Sequence, residues 1–351
     1  VHLDAWALMD KLGFDGLGFN EHHTSPYGMM PSPNLIAAAA SQRTDRMKLL
    51  IYGNCLPIHE PLRLAEELAM LDCLTDGRLI SGFVRGIPRE YVAYGVDQGE
   101  SRARFQEAWE IIKLAWSEEV FSYKGDFWSY DDVAIWPRPV QQPRPPVWVP
   151  VTVSKETIEW AGRENIPITP GANATLAVRQ DMIRFYAECL AKNGHTITPD
   201  HVVLGASVYV ADSRQQAMEE AGPYMLYFFH TLFSHGNVSN VANQQRSGYR
   251  SESDYDYIRP ENREAFMGAL QGFRSMTLED LERNERVCWG SPEEVRDSLI
   301  ALADTLGGGT LMLNFNQGAM PHDMFVRNLQ RFGEEVLPAL QAHQVTTVPV
   351  S

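Results

Sequence analysis

The chain has 351 residues, 30 Lys+Arg against 45 Asp+Glu, a net charge of −15 and 44% hydrophobic residues. That apolar content, with eight Trp, 13 Tyr and 15 Phe spread along the chain, specifies a globular core and excludes a disordered polymer. The acidic balance, without a basic stripe, excludes nucleic acid as a partner, and no apolar run approaches the roughly 20 residues of a membrane span.

In chain order, Asp4–Leu12 reads as an amphipathic helix stopped by Gly13, and Phe14–Phe19 as a strand. Pro33–Ser41 is a small-residue helix with Ala37–Ala40 at its centre, and Met47–Leu56 is β-like. Pro61–Leu74 is helical, with Leu64, Leu68 and Leu71 on one face. Thr75-Asp76-Gly77 turns the chain into the strand Leu79–Val84. Ser101–Trp116 is a long helix, Pro146–Val153 a strand, Lys155–Glu164 a helix and Ile166–Thr169 a short strand. Leu176–Lys192 is a helix and Val202–Val210 a strand. Ser291-Pro292-Glu293-Glu294 opens another helix: serine caps, proline takes the first position and glutamate reaches back. Gly307–Gly309 ends that helix, Thr310–Phe315 is the last strand, and a terminal helix starts near Asp323.

Strands alternating with helices of this length specify βαβ units and a parallel sheet. Seven strands follow the first helix, and a closed barrel needs eight. The expected fold is α/β, a (β/α)8 TIM barrel formed as one domain over residues 1–351, whose first strand lies upstream of Val1; an open doubly wound sheet is the alternative. Two insertions break the rhythm. Residues 118–145 carry Tyr123, Trp128, Trp136 and a proline-rich run, and should be extended and loop-like. Residues 222–286 are aromatic near their start, and read either as a lid or as a surface excursion. Four cysteines, Cys55, Cys73, Cys189 and Cys288, show no C-x-x-C spacing; buried thiols in a reducing cytoplasm are expected, and the chain's start does not read as a secretory leader.

Ligands of a parallel barrel bind at the C-terminal strand ends, where polar residues gather here. The second strand runs into Glu21-His22-His23, the third into Gly53-Asn54, the fourth into Arg85-Gly86 and the fifth into Val153-Ser154-Lys155-Glu156-Thr157. A guanidinium at Arg85 can grip a phosphate, with Ser154 and Thr157 at a helix start around the same anion; equally, Arg85 can pair with a carboxylate while Ser154 only caps. One imidazole at a strand end can donate to a reactive oxygen or exchange a proton. His22 and His23, being adjacent, should point to opposite sides, which also weakens a metal-ligand reading of Glu21-His22-His23. The cluster Tyr224, Tyr227, Phe228, Phe229 and Phe233 reads as a substrate pocket or as core. A metal-dependent hydrolase using His22, His59, His230 or His235 is a rival reading.

Taken together, Gly13-Phe14-Asp15, Glu21-His22-His23, Leu56-Pro57, Ala65-Glu66, Leu71-Asp72, Gly77-Arg78, Val84-Arg85-Gly86, Tyr94-Gly95, Ser101-Arg102, Ser154–Ala161 and Gly290–Val295 resemble the bacterial-luciferase-like, flavin-dependent monooxygenases. The resemblance spans most of the chain and is more specific for fold and cofactor than for substrate. It implies an insertion-bearing (β/α)8 barrel, usually a homodimer. It also implies reduced FMN supplied by a separate NAD(P)H-dependent flavin reductase, and oxygenation of a small organic substrate through a flavin C4a-(hydro)peroxide. His22 is then the active-site histidine. Arg85 holds the FMN phosphate with Ser154, Thr157 and the backbone of Val153, and Gly53-Asn54 matches a strand end where relatives carry a non-prolyl cis peptide beside the flavin ring. F420-dependent oxidoreductases share the barrel and are the close alternative, with hydride transfer and no O2. Val84 stands where the bioluminescent subunit has cysteine, and Val153 where it has an acid, so light emission is not implied.

Overall fold

The computed structural model describes residues 2–171, 174–233, 249, 252–264, 275–283, 287–316 and 318–350. Helix α1 (His2–Leu12) leads into β1 (Gly16–Phe19), and α2 (Pro33–Ser41) into β2 (Lys48–Ile51) and the short β3 (Asn54–Cys55). Next come α3 (Pro61–Leu74), β4 (Leu79–Val84), α4 (Pro88–Tyr94), α5 (Ser101–Ser117), β5 (Phe121–Lys124), β6 (Ser129–Val133), β7 (Val147–Val151), α6 (Lys155–Glu164), β8 (Ile168–Pro170) and α7 (Leu176–Lys192). The remainder comprises β9 (Val203–Val210), α8 (Arg214–Tyr227), α9 (Leu278–Arg283), β10 (Val287–Gly290), α10 (Pro292–Leu306), β11 (Thr310–Asn314), α11 (His322–Glu335) and α12 (Leu337–Ala342).

The main strands are parallel and run in the order β1-β2-β4-β7-β8; β3 also joins β4, and a single bridge from Ile168 to Val202 carries the series on to β9. β9 pairs with β11 along its first half and with β10 along its second. The series curls: Met312 Sδ of β11 lies 3.6 Å from where a Cβ on Gly18 of β1 would sit, so the two ends face each other. β1 and β11 are not paired with each other, and the assembly is a curled parallel half-barrel. All seven expected strands form, and β10 is an eighth that sequence periodicity missed, because a four-residue run is too short to show a period.

Local chemistry explains the helices. Glu60 caps α3 by accepting from the Arg63 N–H at 2.6 Å, and Leu64, Leu68 and Leu71 are buried as their spacing requires. At α10, Ser291 accepts from the Glu294 N–H, Glu294 returns to the Ser291 N–H at 2.8 Å, and Gly307 ends the helix at φ +68°. Most of the described core lies between strands and helices in two large apolar clusters, one built on Phe83, Trp109, Trp116 and Trp160, the other on β9–β11 with Trp289, Phe315 and Phe332; a small third cluster joins Cys55, Tyr91 and Tyr249.

Two expectations need correction. Residues 118–145 are not loop-like throughout, since β5 and β6 form an antiparallel hairpin whose alternating Phe121, Tyr123, Tyr130 and Val133 pack inward. The proline-rich stretch after it is irregular, with cis peptides at Trp136–Pro137 and Gln142–Pro143. Residue 222 is not a boundary either, because α8 runs through it to Tyr227 despite Pro223 and continues as a π-helical turn, Phe228–Phe233. Much of 222–286 lies outside the described residues. Of the four cysteines, Cys55, Cys189 and Cys288 are buried and Cys73 is half-buried. Among the described residues, no helix is long and apolar enough to cross a membrane.

Candidate active site

Beyond Phe19 the chain leaves the sheet, and Glu21, His22 and His23 diverge. His22 Nδ1 lies 3.1 Å from Glu90 Oε1, and its ring stands edge-on to Tyr27 at 4.7 Å. Its side chain is 26% exposed, and among the described residues its Nε2 has no hydrogen bond. His23 turns the other way, and both its nitrogens are engaged: Nε2 with Glu21 at 2.9 Å and Nδ1 with the Tyr94 hydroxyl at 2.9 Å. The expected divergence of the two rings is observed, and only His22 keeps a nitrogen for a ligand.

Glu21 is the hub of a buried network. Its oxygens lie within 2.9–3.0 Å of His23 and His59 and accept from Asn54 Nδ2 at 3.0 Å; Asn54 also donates to Asn34 Oδ1. Burial pushes the Glu21 carboxyl up, but the hydrogen bonds of His23, His59 and Asn54 prevail and hold it at about 2. The bond to Glu21 raises His23 above the usual histidine value against the opposing effect of burial.

Helix α4 pins this corner with four side chains. Arg89 donates to the Thr24 carbonyl at 2.7 Å, Glu90 meets His22, Tyr94 meets His23, and the Tyr91 hydroxyl donates to the Arg85 carbonyl. Arg85 therefore shares a scaffold with His22. Cys55 Sγ also donates to the Arg85 carbonyl, at 3.4 Å, and the fully buried Cys55 thiol is pushed well up by burial. Gly86 sits at φ +94° with Cys55 Sγ 2.3 Å from where a Cβ would be, so a side chain there would displace the Arg85 turn. The Arg85 guanidinium lies 4.7 Å from the Tyr249 ring centroid, and Tyr249 donates to the Gly86 carbonyl at 2.8 Å. Among the described residues, the buried Arg85 Nη1 has no hydrogen-bond partner and Arg85 forms no ion pair. A buried guanidinium nitrogen left unmatched is costly, and an anion is the partner it fits.

Ser154 is the N-cap of α6, accepting from the Thr157 N–H at 3.4 Å. The Val153 carbonyl is occupied by the Tyr257 hydroxyl at 3.1 Å, which leaves its N–H as the group to offer a ligand. The start of α6 joins the α4 corner through side chains: Tyr91 meets Ser101 at the head of α5, and the adjacent Arg102 pairs with Glu156. Gly53 is packed so tightly on β4 that a Cβ would lie 2.5 Å from the Gly82 carbonyl carbon, and the Tyr52–Gly53 peptide is cis, one bond before the expected Gly53–Asn54. The side chain of Asn54 belongs to the Glu21 network, and among the described residues its buried Oδ1 has no partner.

The expected aromatic cluster divides. Phe228 packs on Tyr27 at 5.7 Å, beside His22; Phe229 is buried in core, Tyr224 packs against that core, Tyr227 is exposed, and the Phe233 side chain and His235 lie outside the described residues. His59 is committed to Glu21, and His230 lies 2.7 Å from the Met276 carbonyl. Among the described residues, no group of three His, Cys, Asp or Glu is arranged to hold a metal. Sequence reasoning missed Glu90, although one signal was present: a glutamate two residues after Pro88, where the preceding Ile87 has no side-chain oxygen to cap the helix.

The chain is similar to known proteins along most of its length. The luciferase-like monooxygenase family model matches residues 2–308. A Sinorhizobium fredii protein, y4wF, is 37% identical over 176 residues, and the match spans about half the length of that relative. The alkanal monooxygenase alpha chain of Aliivibrio fischeri is 24% identical over 96% of this chain and 92% of its own. The oxygenating constituent of 3,6-diketocamphane monooxygenase of Pseudomonas putida, solved with FMN, superposes with a TM-score of 0.76 at 20% identity over 99% and 93% of the two chains. An F420-dependent secondary alcohol dehydrogenase superposes at 0.69 and 17%, over 96% and 94%. With Arg85, the start of α6 and His22 disposed around the strand ends, this chain belongs to the luciferase-like monooxygenase family.

Proposed function

We propose that this chain is the oxygenase of a two-component flavin monooxygenase, taking reduced FMN from a separate NAD(P)H-dependent flavin reductase and using O2 to oxygenate a small organic substrate. The observation that carries the reading is the buried, unmatched Nη1 of Arg85, a donor fitted to one phosphate oxygen. Ser154, Thr157 and the Val153 N–H at the start of α6 supply the rest of the anion cradle, where backbone N–H groups and the helix dipole favour negative charge. Reduced flavin activates oxygen when bound. The protein's part is to bind and orient that group and to present His22, whose Nε2 exchanges a proton with the reacting oxygen. Tyr27 stands edge-on to the His22 ring and Phe228 packs on Tyr27, which supplies an apolar side to that position.

The finer reading of the fold is a closed (β/α)8 barrel. A homodimer belongs to the same reading, and would give exposed Leu35 on α2 (68%), Met29 just before it (85%) and Leu74 at the end of α3 (50%) a surface to cover them. A cytoplasmic location follows from dependence on a soluble reductase.

The test is titration with oxidised and reduced FMN, followed by oxygen uptake across a substrate panel with photoreduced FMN. Micromolar or tighter binding of reduced FMN, lost in Arg85→Ala, with oxygen-dependent product, supports the reading. Product formed without oxygen would instead favour F420-type hydride transfer, which the likeness of fold to the alcohol dehydrogenase keeps as the second reading.

A further inference from the structure

We propose that Glu90 is a positioning residue that fixes the proton of neutral His22 on Nδ1, so that His22 meets its ligand as a proton acceptor at Nε2. The inference rests on His22 being the reacting group of the function proposed above, but the tautomer is a property of the protein alone.

Both oxygens of Glu90 are used. Oε2 accepts from the Ile87 N–H at 2.9 Å, and Oε1 faces His22 Nδ1 at 3.1 Å. Glu90 is 1% exposed, unlike an ordinary acid in the first turn of a surface helix. An oxygen that serves only as acceptor requires the facing ring nitrogen to carry the hydrogen, and in a neutral imidazole the other nitrogen is then bare.

The surroundings keep the ring from turning to offer Nε2 instead. A Cβ on Gly28 would lie 3.1 Å from His22 Cβ, so the following loop lies directly on the histidine, and Tyr27 closes the ring edge. Arg89 fixes the Thr24 carbonyl two residues on, and Tyr94 fixes His23 one residue on, both from α4. Among the described residues, the titratable groups that face this ring are Glu90 from α4 and Tyr27 from the loop; Glu21 engages His23, His59 and Asn54 on the other side. His22 therefore takes a proton first and becomes a donor at Nε2 only as the imidazolium, with Glu90 behind it. The Ile87 arm ties the same carboxylate to the turn that carries Arg85, linking the imidazole to the anion anchor through one side chain.

The experiment is long-range 1H–15N spectroscopy of the histidine rings in the ligand-free protein, with the His22 signal identified by its loss in His22→Gln. In the neutral ring, Nδ1 should appear protonated and Nε2 bare. Glu90→Gln offers one acceptor oxygen to two donors, and Glu90→Met offers none. Each should move the His22 proton toward Nε2, and Glu90→Gln should lower product formation about tenfold to a hundredfold. Glu90→Asp should restore the Nδ1–H form in part. A wild-type neutral His22 protonated on Nε2, or variants whose tautomer matches wild type, overturns the assignment. If either variant fails to fold, the wild-type spectrum alone decides. Full turnover by His22→Ala overturns the proposed function instead, and leaves the spectra to judge Glu90 separately.

Discussion

Two histidine–carboxylate pairs stand one residue apart in this chain and are built for different work. His23 is saturated: Glu21 holds one nitrogen, Tyr94 the other, and the shared carboxylate also binds His59 and Asn54. Among the described residues His22 has a single hydrogen-bond partner, Glu90, and its ring stands edge-on to Tyr27. Residue type does not separate a structural histidine from a reactive one. What separates them is how many of the ring's two nitrogens the fold consumes.

The comparison breaks first at Glu21. Glu21→Ala leaves His23, His59 and Asn54 without their common acceptor inside the protein, and should cost about 3–5 kcal/mol of stability, read as a lowered urea midpoint. If that midpoint is unchanged, the network is not structural. The matching change on the other side, His22→Ala, should leave the urea midpoint within about 1 kcal/mol while product formation falls about 10²–10³-fold. Arg85→Ala should weaken reduced FMN by about 1.5–3 kcal/mol, the usual worth of a hydrogen bond to a charged group, with little effect on either histidine; equal affinity in a flavin titration would remove Arg85 from the site.

The smallest effect sharpens the comparison by pH. Glu21 is depressed to about 2 in the fold, so its stabilisation is complete above the ordinary carboxylate value near 4.5 and is lost as pH falls from there toward about 2. His23 is raised, so its contribution is complete below the ordinary histidine value of 6.5 and is lost as pH rises through the higher folded value. Wild-type stability should therefore fall at both ends of that window, and Glu21→Gln should flatten both slopes. Slopes that persist in Glu21→Gln would assign the pH dependence to other groups.

The sequence by itself determined the alternation of strands and helices, because hydrophobic period and capping chemistry are local: the Ser291-Pro292-Glu293-Glu294 cap and the Leu64, Leu68, Leu71 stripe form as written. It also placed His22, Arg85 and Ser154 at strand ends, since those positions follow from the strands. Tertiary structure alone decided which partners they meet. Glu90 lies 68 residues from His22, and Tyr249 comes to Arg85 from a distant insertion. No local pattern encodes such a meeting. The hairpin at β5–β6 and the short β10 were illegible for a related reason: each is stabilised by pairing with a neighbour rather than by its own period. The fate of the two histidines was settled in the same way, by how α4 and the network around Glu21 divide four ring nitrogens among the available oxygens.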